Sequence, residues 1–288
     1  MAHRTKSPKN TELQRERLLD QFKILRIPIS GEALDEILAR ASKQRLSYLA
    51  FLDDLIGEQA NLRRQRSIER RIRHARFAER KELGSFDWDF NKKAIDRLQI
   101  EELATADFVR RKDNVVFVGK SGVGKSHIIQ AVGMQACAAG FSVRYTTSAA
   151  LIESLTAALA DKTLTKALGR FTRPQLLIID EFGFDRVERS ESPEAASLLY
   201  KVVHARSNKG STALLTNVDF ENWGDYLGDP PLSMALLDRL VDNAIILKIN
   251  GRSYRAEKAK RKKRAAKTQA RPAPTRAKAK AKKKRGRK

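Results

Sequence analysis

The sequence predicts an α/β protein in which a parallel sheet flanked by helices follows a small all-helical N-terminal domain and precedes a disordered basic tail. Three observations lead to this prediction. Short apolar runs alternate with helical patterns from residue 114 onward. Apolar residues recur at helical spacing through residues 1–83, without a strand pattern. Residues 256–288 contain no apolar residue larger than alanine. The predicted domains are therefore 1–83, 84–255 and 256–288.

Composition sets bounds on the class of protein. The chain has 288 residues, 41% of them hydrophobic, and a net charge of +24, so we expect a polyanion as partner. The single cysteine, Cys137, excludes an internal disulfide framework and a multi-cysteine zinc site, and it is typical of a reducing cytoplasm. No uncharged apolar run approaches the ~18 residues of a membrane span, and residues 1–10 are polar and basic, unlike a secretory signal. We expect a cytoplasmic protein with no membrane partner.

Helical patterns fill the predicted N-terminal domain. The predicted helices are 11–26, 31–43 and about 47–80. Pro28 stops the first helix, and Ser30 is placed to cap the second. Ser47 is the predicted N-cap of the third, which is apolar early and basic late.

Two segments of the chain are strongly basic. Residues 61–82 hold nine Lys or Arg against three acids, and residues 256–288 hold 17 against one. The tail cannot offset its ordering entropy by burial, so we expect it to be disordered. Each segment has two interpretations, a solvated charged surface or a nucleic-acid contact that releases counterions from phosphates. The second is favoured for the tail, and both stay open for residues 61–82.

A phosphate-binding loop follows the first predicted strand, Asn114–Val118. It reads G-x-x-x-x-G-K-S and comprises Gly119, Lys120, Ser121, Gly122, Val123, Gly124, Lys125 and Ser126. Its glycines allow consecutive backbone N–H groups to turn inward around an anion. Lys125 can reach the β- and γ-phosphates, and Ser126 offers a hydroxyl to Mg²⁺. The helix predicted at 125–139 directs its positive end at the phosphates.

The second half of this site is predicted at the ends of two further strands. Residues 176–181 read LLIIDE, which places Asp180 and Glu181 at the carboxyl edge of a parallel sheet, where ligands bind. We expect Asp180 to hold Mg²⁺ through water and Glu181 to orient and polarise the attacking water. The strand 211–216 is followed by Asn217, which predicts either an amide that hydrogen-bonds the water and the γ-phosphate or a turn-capping side chain.

Three more elements complete the predicted sheet and its helices: a strand at 142–147, a helix at 148–159 and a helix at 193–207. Together the elements give a single domain of βαβ units. The aromatic–acid pairs at 86–89 predict an irregular linker that packs on this domain.

These motifs carry a resemblance to a known family. Residues 114–126 with 176–181 resemble the AAA+ branch of the P-loop ATPases. Residues 211–255 narrow the resemblance to one family of this branch, the IstB-like ATPases. The segment is similar to that family in a strand ending at Thr-Asn, followed by F-x-x-W-G-x-x-x-G-D, LLDRL and G-x-S-Y-R. The N-terminal segment LSYLAFLDDLI resembles the same family. The likeness covers about residues 11–258 and leaves out the tail. DnaC/DnaI-type helicase loaders share most of the ATPase motifs.

The resemblance implies roles for individual residues. The family's Walker A, Walker B and sensor-1 positions correspond to Gly119, Gly122, Gly124, Lys125 and Ser126, to Asp180 and Glu181, and to Asn217. Arg239 in LLDRL corresponds to an arginine finger that acts on a neighbouring subunit's ATP, although a surface helix arginine is the alternative. Arg255 in Ser-Tyr-Arg resembles a sensor-2 arginine. Lys120 departs from the family, where many relatives have proline or a small residue.

The resemblance also implies a function. We expect an ATP-dependent helper of transposition that uses ATP and Mg²⁺, oligomerises through its ATP interface on double-stranded DNA, and recruits or activates an IstA-like transposase at the bacterial nucleoid. A replicative helicase loader is the first alternative, and the single Cys137 disfavours a loader with a cysteine-built metal site. A DNA-condensing protein with an inactive phosphate loop is the second, and the complete set of site residues argues against it.

Overall fold

The computed structural model describes residues 8–183 and 194–269. The chain divides into two compact units, residues 1–70 and 71–288. This division lies within a helix, and the domain boundaries given above stay predictions.

The first unit is helical throughout its described part. It contains α1 (Pro8–Ile24), α2 (Gly31–Gln44) and the greater part of α3 (Tyr48–Ala75). Its core forms where Leu34 and Ile37 of α2 meet Leu55 of α3, with partly buried apolar side chains of α1 packed around them. Burial of this apolar face, rather than helix propensity, stabilises helices that are as polar as these.

The predicted ends of these helices are confirmed at two caps and wrong at one terminus. Ser30 Oγ accepts the backbone N–H of residue 33 at 3.1 Å, and Ser47 Oγ accepts that of residue 50 at 3.2 Å, so both predicted N-caps are confirmed. The third helix ends at Ala75 rather than near residue 80. Arg76 ends it in a left-handed conformation with φ 58°, and Phe77 then packs into the core of the second unit.

A parallel five-stranded sheet forms the centre of the second unit, in the order β2-β3-β4-β1-β5. Its strands are β1 (Asn114–Val118), β2 (Val143–Thr147), β3 (Leu176–Phe182), β4 (Ser211–Thr216) and β5 (Ala244–Lys248). The first four confirm the predicted strands. The fifth was not predicted, because it is a half-exposed edge strand whose short apolar run follows a helix directly.

Helices cover both faces of the sheet. They are α4 (Arg97–Ala104), α5 (Asp107–Arg111), α6 (Lys125–Ala138), α7 (Ser148–Ala160), α8 (Leu164–Thr172), α9 (Ala195–Arg206), α10 (Trp223–Leu227) and α11 (Pro230–Val241). A last helix, α12 (Tyr254–Gln269), follows β5. Alternate residues of each central strand point to opposite faces. Val115 and Phe117 pack with α4 to α6, whereas Val116 and Val118 pack with α7 to α11. The predicted helices at 125–139, 148–159 and 193–207 are confirmed, although residue 193 lies outside the described residues.

The predicted linker at 86–89 is irregular, as expected, whereas part of the predicted disordered tail is helical. No regular element lies between Ser85 and Asp96, and Phe86 and Trp88 pack against the core, as expected of the linker. Residues 256–269 are helical in α12, so the prediction of disorder is wrong for them. Ala, Lys, Arg, Glu and Gln are strong helix formers, and Ser253 Oγ accepts a backbone N–H of the first turn at 3.3 Å. The rest of the predicted tail, 270–288, lies outside the described residues.

Among the helices in the described ranges, none is long and apolar enough to cross a membrane.

Candidate nucleotide-binding site

The phosphate loop connects β1 to α6, and its conformation depends on two glycines. Gly122 has φ 80° and Gly124 has φ 113°, which are left-handed values that L side chains rarely adopt. A Cβ at Gly122 would overlap the Ser253 side chain, and a Cβ at Gly124 would lie 2.9 Å from the Phe86 ring. The loop is therefore closely covered by other parts of the chain, and it leads directly into the amino end of α6, where backbone N–H groups are free to bind an anion.

Lys125 lies within this loop. Its side chain is 6% exposed, and Nζ donates hydrogen bonds to the carbonyl oxygens of Gly119 at 2.5 Å and Lys120 at 3.0 Å. Burial lowers the pKa of Lys125, the nearby Asp180 carboxylate opposes this shift, and Arg255 adds to it. The ammonium is thus a buried cation held against the carbonyl oxygens of the loop.

Asp180 is the most constrained acid of the site. One carboxylate oxygen, Oδ1, accepts the Ser126 hydroxyl at 3.1 Å and the Glu181 backbone N–H at 2.8 Å. The other, Oδ2, accepts the Tyr145 hydroxyl at 2.8 Å. Asp180 is 3% exposed and Tyr145 is 8% exposed. Burial, followed by the Asp180 charge, raises the pKa of Tyr145, so its hydroxyl stays a donor.

Glu181 follows Asp180 in a strained conformation. Its φ of 62° is left-handed, which is uncommon for a non-glycine residue. The register between β3 and β4 shifts here, between the pairs Ile179–Leu214 and Phe182–Thr216. Such a bulge redirects side chains next to functional sites. The Glu181 side chain is exposed at the carboxyl edge of the sheet.

Asn217 lies beside the end of β3, directly after β4. With its amide nitrogen directed at them, it donates to the carbonyl oxygens of Phe182 at 3.1 Å and Gly183 at 3.2 Å. The Asn217 amide is therefore within reach of the strand end that carries Asp180 and Glu181, which brings together the three strand-end residues predicted from the sequence.

The segment after β5 packs on the phosphate loop. The Tyr254 backbone N–H donates to the Gly122 carbonyl at 2.9 Å. Asn91, which is buried, donates to the Arg252 carbonyl at 3.0 Å and to the Val123 carbonyl at 3.4 Å. Arg255, the second residue of α12, lies close enough for its charge to lower the pKa of Lys125. The structure thus brings Arg255 near the site.

Arg239 is not brought to this site within one chain. It lies on α11, where its carbonyl accepts a hydrogen bond from the Asn114 side chain at 3.3 Å. Asn114 is the first residue of β1, whereas the phosphate loop follows the last, Val118. Arg239 therefore lies at the opposite end of the sheet from its own phosphate loop, and its guanidinium forms an ion pair with Asp238 at 3.6 Å.

Comparison with known proteins identifies the family. A sequence profile of the IstB-like ATP binding protein family matches residues 20–265. The chain belongs to this family. It is 37% identical over 229 residues to the ATP-binding protein of insertion sequence IS21 from Pseudomonas aeruginosa, covering 80% of this chain and 84% of the relative. It is 32% identical over 255 residues to that of insertion sequence IS5376 from Geobacillus stearothermophilus, covering 88% of this chain and 100% of the relative.

Two solved structures match part of the chain. The structure of DnaI gives a TM-score of 0.49 at 18% identity, covering 59% of this chain and 92% of that one. The DnaC helicase loader gives 0.46 at 21% identity, covering 53% and 87%. Family membership confirms the predicted resemblance to IstB-like ATPases, and the sheet confirms the predicted α/β fold.

Two residues that touch the site were not found from the sequence. Tyr145 and Asn91 come from a strand and a linker that carry no motif, and their partners are far away along the chain. The only signal was Tyr145 itself, a phenol in a predicted strand of the sheet, since a buried hydroxyl requires a hydrogen-bond partner.

Proposed function

We propose that this IstB-like protein binds and hydrolyses ATP, assembles on DNA in its ATP-bound form, and acts there on the transposase of its insertion sequence. The observation that carries the proposal is the Ser126–Asp180 hydrogen bond of 3.1 Å beside the buried Lys125. It joins a phosphate loop to an acidic strand end, which is the arrangement that holds a nucleoside triphosphate with its metal in P-loop proteins.

The residues present fit Mg²⁺. Ser126 and Asp180 offer a hydroxyl and a carboxylate oxygen, which are the hard ligands that Mg²⁺ prefers. No cluster of three or more His, Cys, Asp or Glu side chains that could cage a metal occurs in the part of the chain that the structure describes. This also fits Mg²⁺, which is bound by one or two protein groups together with substrate phosphates. When bound, the ion would neutralise charge on the phosphates.

The chain's own residues would divide the remaining work. Lys125 and the backbone N–H groups of the loop bind the phosphates. Glu181 orients and polarises the attacking water, and Asn217 holds that water against the γ-phosphate. Arg255 adds positive charge from α12. Lys120, Ser121 and Val123 contribute backbone groups of the loop. Catalysis of this kind rests on positioning and charge stabilisation, because phosphoryl transfer needs little covalent chemistry from the protein.

Positive charge supports the DNA part of the proposal. The net charge of +24 favours a polyanionic partner, and the basic segments 61–82 and 256–288 offer phosphate contacts without a means of reading bases. The relatives are named as ATP-binding proteins of insertion sequences, which supports a transposase as the protein partner.

An ATPase assay of the full chain with and without duplex DNA tests the proposal. We expect slow hydrolysis alone and faster hydrolysis with DNA, because assembly on DNA completes the ATP site with a neighbour's arginine. An absence of hydrolysis under both conditions would contradict the ATPase assignment.

Replacing Glu181 with glutamine should preserve ATP binding and prevent hydrolysis. The amide has the same shape but cannot polarise water. The ATP-bound assembly on DNA should therefore accumulate, as measured by nucleotide retention after gel filtration. Hydrolysis at the wild-type rate would assign the catalytic role to another residue.

Replacing Tyr145 with phenylalanine should raise the Mg²⁺ concentration needed for ATP binding. The change removes the donor to Asp180 Oδ2 while keeping the packed ring. Loss of a hydrogen bond that orients a metal-binding carboxylate typically weakens metal affinity about 10- to 100-fold. The measurement is ATP-analogue binding across a Mg²⁺ titration, with Tyr200→Phe as the control. The same Mg²⁺ dependence in Tyr145→Phe as in the wild type would show that Tyr145 only fills space.

Replacing Arg239 with alanine should leave ATP binding intact and stop hydrolysis in the assembly. Because Arg239 lies at the far end of the sheet from its own site, it would act on a neighbour's ATP. An arginine supplied in trans is worth ~10³-fold or more in rate. Mixing Arg239→Ala protein with Lys125→Ala protein should restore part of the activity. No recovery in mixtures that co-assemble would rule out action in trans.

A further inference from the structure

A basic cleft lies at the amino ends of β2 and β3, next to α8. Its volume is about 430 Å³, and it is lined by Ser142, Lys166, Gly169, Arg170, Arg173 and Pro174. Ser142 directly precedes β2, and Pro174 lies just before β3. The phosphate loop follows the carboxyl end of β1 in the same parallel sheet. The basic cleft is therefore at the opposite end of the sheet from the nucleotide site.

Three cations converge on one side of the cleft. Lys166, Arg170 and Arg173 are exposed and follow each other at spacings of four and three residues, which puts them on one face of α8 and its C-terminal end. The row is about 10 Å long at 1.5 Å per residue. None of the three takes part in an ion pair within residues 10–183 and 194–261, where side chains are described. By contrast, Arg97 and Arg111 on the same unit are paired with carboxylates.

A fourth cation, Arg144 of β2, adds positive charge next to α8. Its guanidinium carbon lies 5.9 Å from the centroid of the Phe171 ring of α8. Its Nε is buried and finds no hydrogen-bond partner in the described part of the protein. Burial lowers the pKa of Arg144, and the charges of Arg76 and Arg170 lower it further. Arg144 of β2, Arg170 of α8 and Arg76 after α3 thus bring positive charges close to one another. No carboxylate is among the groups that shift the pKa of Arg144.

We propose that the basic cleft and the row Lys166–Arg170–Arg173 bind the phosphate backbone of duplex DNA. This inference rests on the proposed DNA-binding function. It assigns that function a surface on the second unit, separate from the basic segments 61–82 and 256–288. Unpaired cations on a rigid helix match a row of fixed anions, and a row of about 10 Å spans successive phosphates at 3.4 Å of axial rise. Such contacts fix position on the duplex and do not read bases.

A salt series on the full chain tests this surface. The variant Lys166→Gln/Arg170→Gln/Arg173→Gln is compared with Lys92→Gln/Lys93→Gln/Lys201→Gln, which loses the same charge at exposed positions elsewhere on the unit. Each phosphate contact contributes about −0.9 to the slope of log K against log salt, so the first variant should lose roughly 2–3 units of slope. The control should lose less than one. Equal slopes for the two variants would overturn the proposal.

A cross-linking experiment gives a second readout that does not depend on charge. Because Cys137 is buried, a photo-cross-linker can be attached selectively to Ser142→Cys at the mouth of the cleft, or to Lys93→Cys as control. We expect cross-links to duplex DNA from position 142 and few from position 93. DNA binding by the wild type with no cross-link from position 142 would overturn the surface alone. No DNA binding by the wild type would overturn the proposed function.

Discussion

Replacing Lys125 with alanine is expected to abolish ATP binding. Lys125 is the buried cation of the phosphate loop, and its ammonium already lies against the loop carbonyls of Gly119 and Lys120. Hydrogen bonds to charged groups contribute about 1.5–3 kcal/mol each, so losing contacts to two phosphates should weaken affinity at least about 100-fold. The measurement is isothermal titration with ATP and Mg²⁺.

The control for this variant separates binding from folding. Burial lowers the pKa of Lys125, which means that the charged form is less favourable in the folded protein than in water. The melting temperature of the nucleotide-free variant shows whether it is folded, because Lys125 also donates hydrogen bonds to two loop carbonyl oxygens. Lys93→Ala removes an exposed charge and should bind ATP like the wild type. Unchanged ATP affinity in Lys125→Ala would mean that the loop is not the nucleotide site.

Replacing Arg206 with alanine is expected to destabilise the second unit severely. Arg206 is 1% exposed at the end of α9 and connects the turn before β3 to the start of β4. Its guanidinium donates to the carbonyl oxygens of Phe171 and Pro174 at 2.8 Å and of Ser211 at 2.5 Å. Burial lowers the pKa of Arg206 to about 10, so it is charged at neutral pH.

The size of this effect follows from the carbonyl groups left behind. Each buried acceptor without a partner costs about 1–3 kcal/mol, and the deleted side chain leaves a cavity. We expect a loss of at least 3–5 kcal/mol in the free energy of unfolding, measured by urea denaturation. Arg206→Lys should also destabilise, because one ammonium cannot reach acceptors on both sides of a guanidinium. The exposed neighbour Lys209→Ala should have little effect. A comparably small loss for Arg206→Ala would contradict the structural role assigned here.

Features that depend on residues close together in the chain could be predicted from the sequence. The phosphate loop, the acidic end of β3 and the caps at Ser30 and Ser47 are each set by residues within one turn or strand. All were predicted, and the caps and strands are confirmed. Arg206 could not be interpreted in this way, because its partners lie on two other segments that only the folded sheet brings together.

Contacts between distant segments limited the prediction of the site in the same manner. Tyr145 reaches Asp180 because β2 and β3 are adjacent and parallel, with Tyr145 paired with Ile178 two residues before the acid. Neither fact is visible in the sequence of β2. The α12 helix was missed for a different reason, since its charge composition suggested disorder while its alanines and long side chains favour a helix.

ATP-dependent assembly on DNA is tested most directly by counting the chains bound to one DNA duplex in the presence and absence of ATP. Mass photometry of the Glu181→Gln protein on duplex DNA avoids loss of ATP during the measurement. We expect complexes of several chains with ATP and Mg²⁺, smaller complexes without nucleotide, and no response to ATP when Lys125 is also replaced with alanine. The same number of chains per duplex with and without ATP would contradict it.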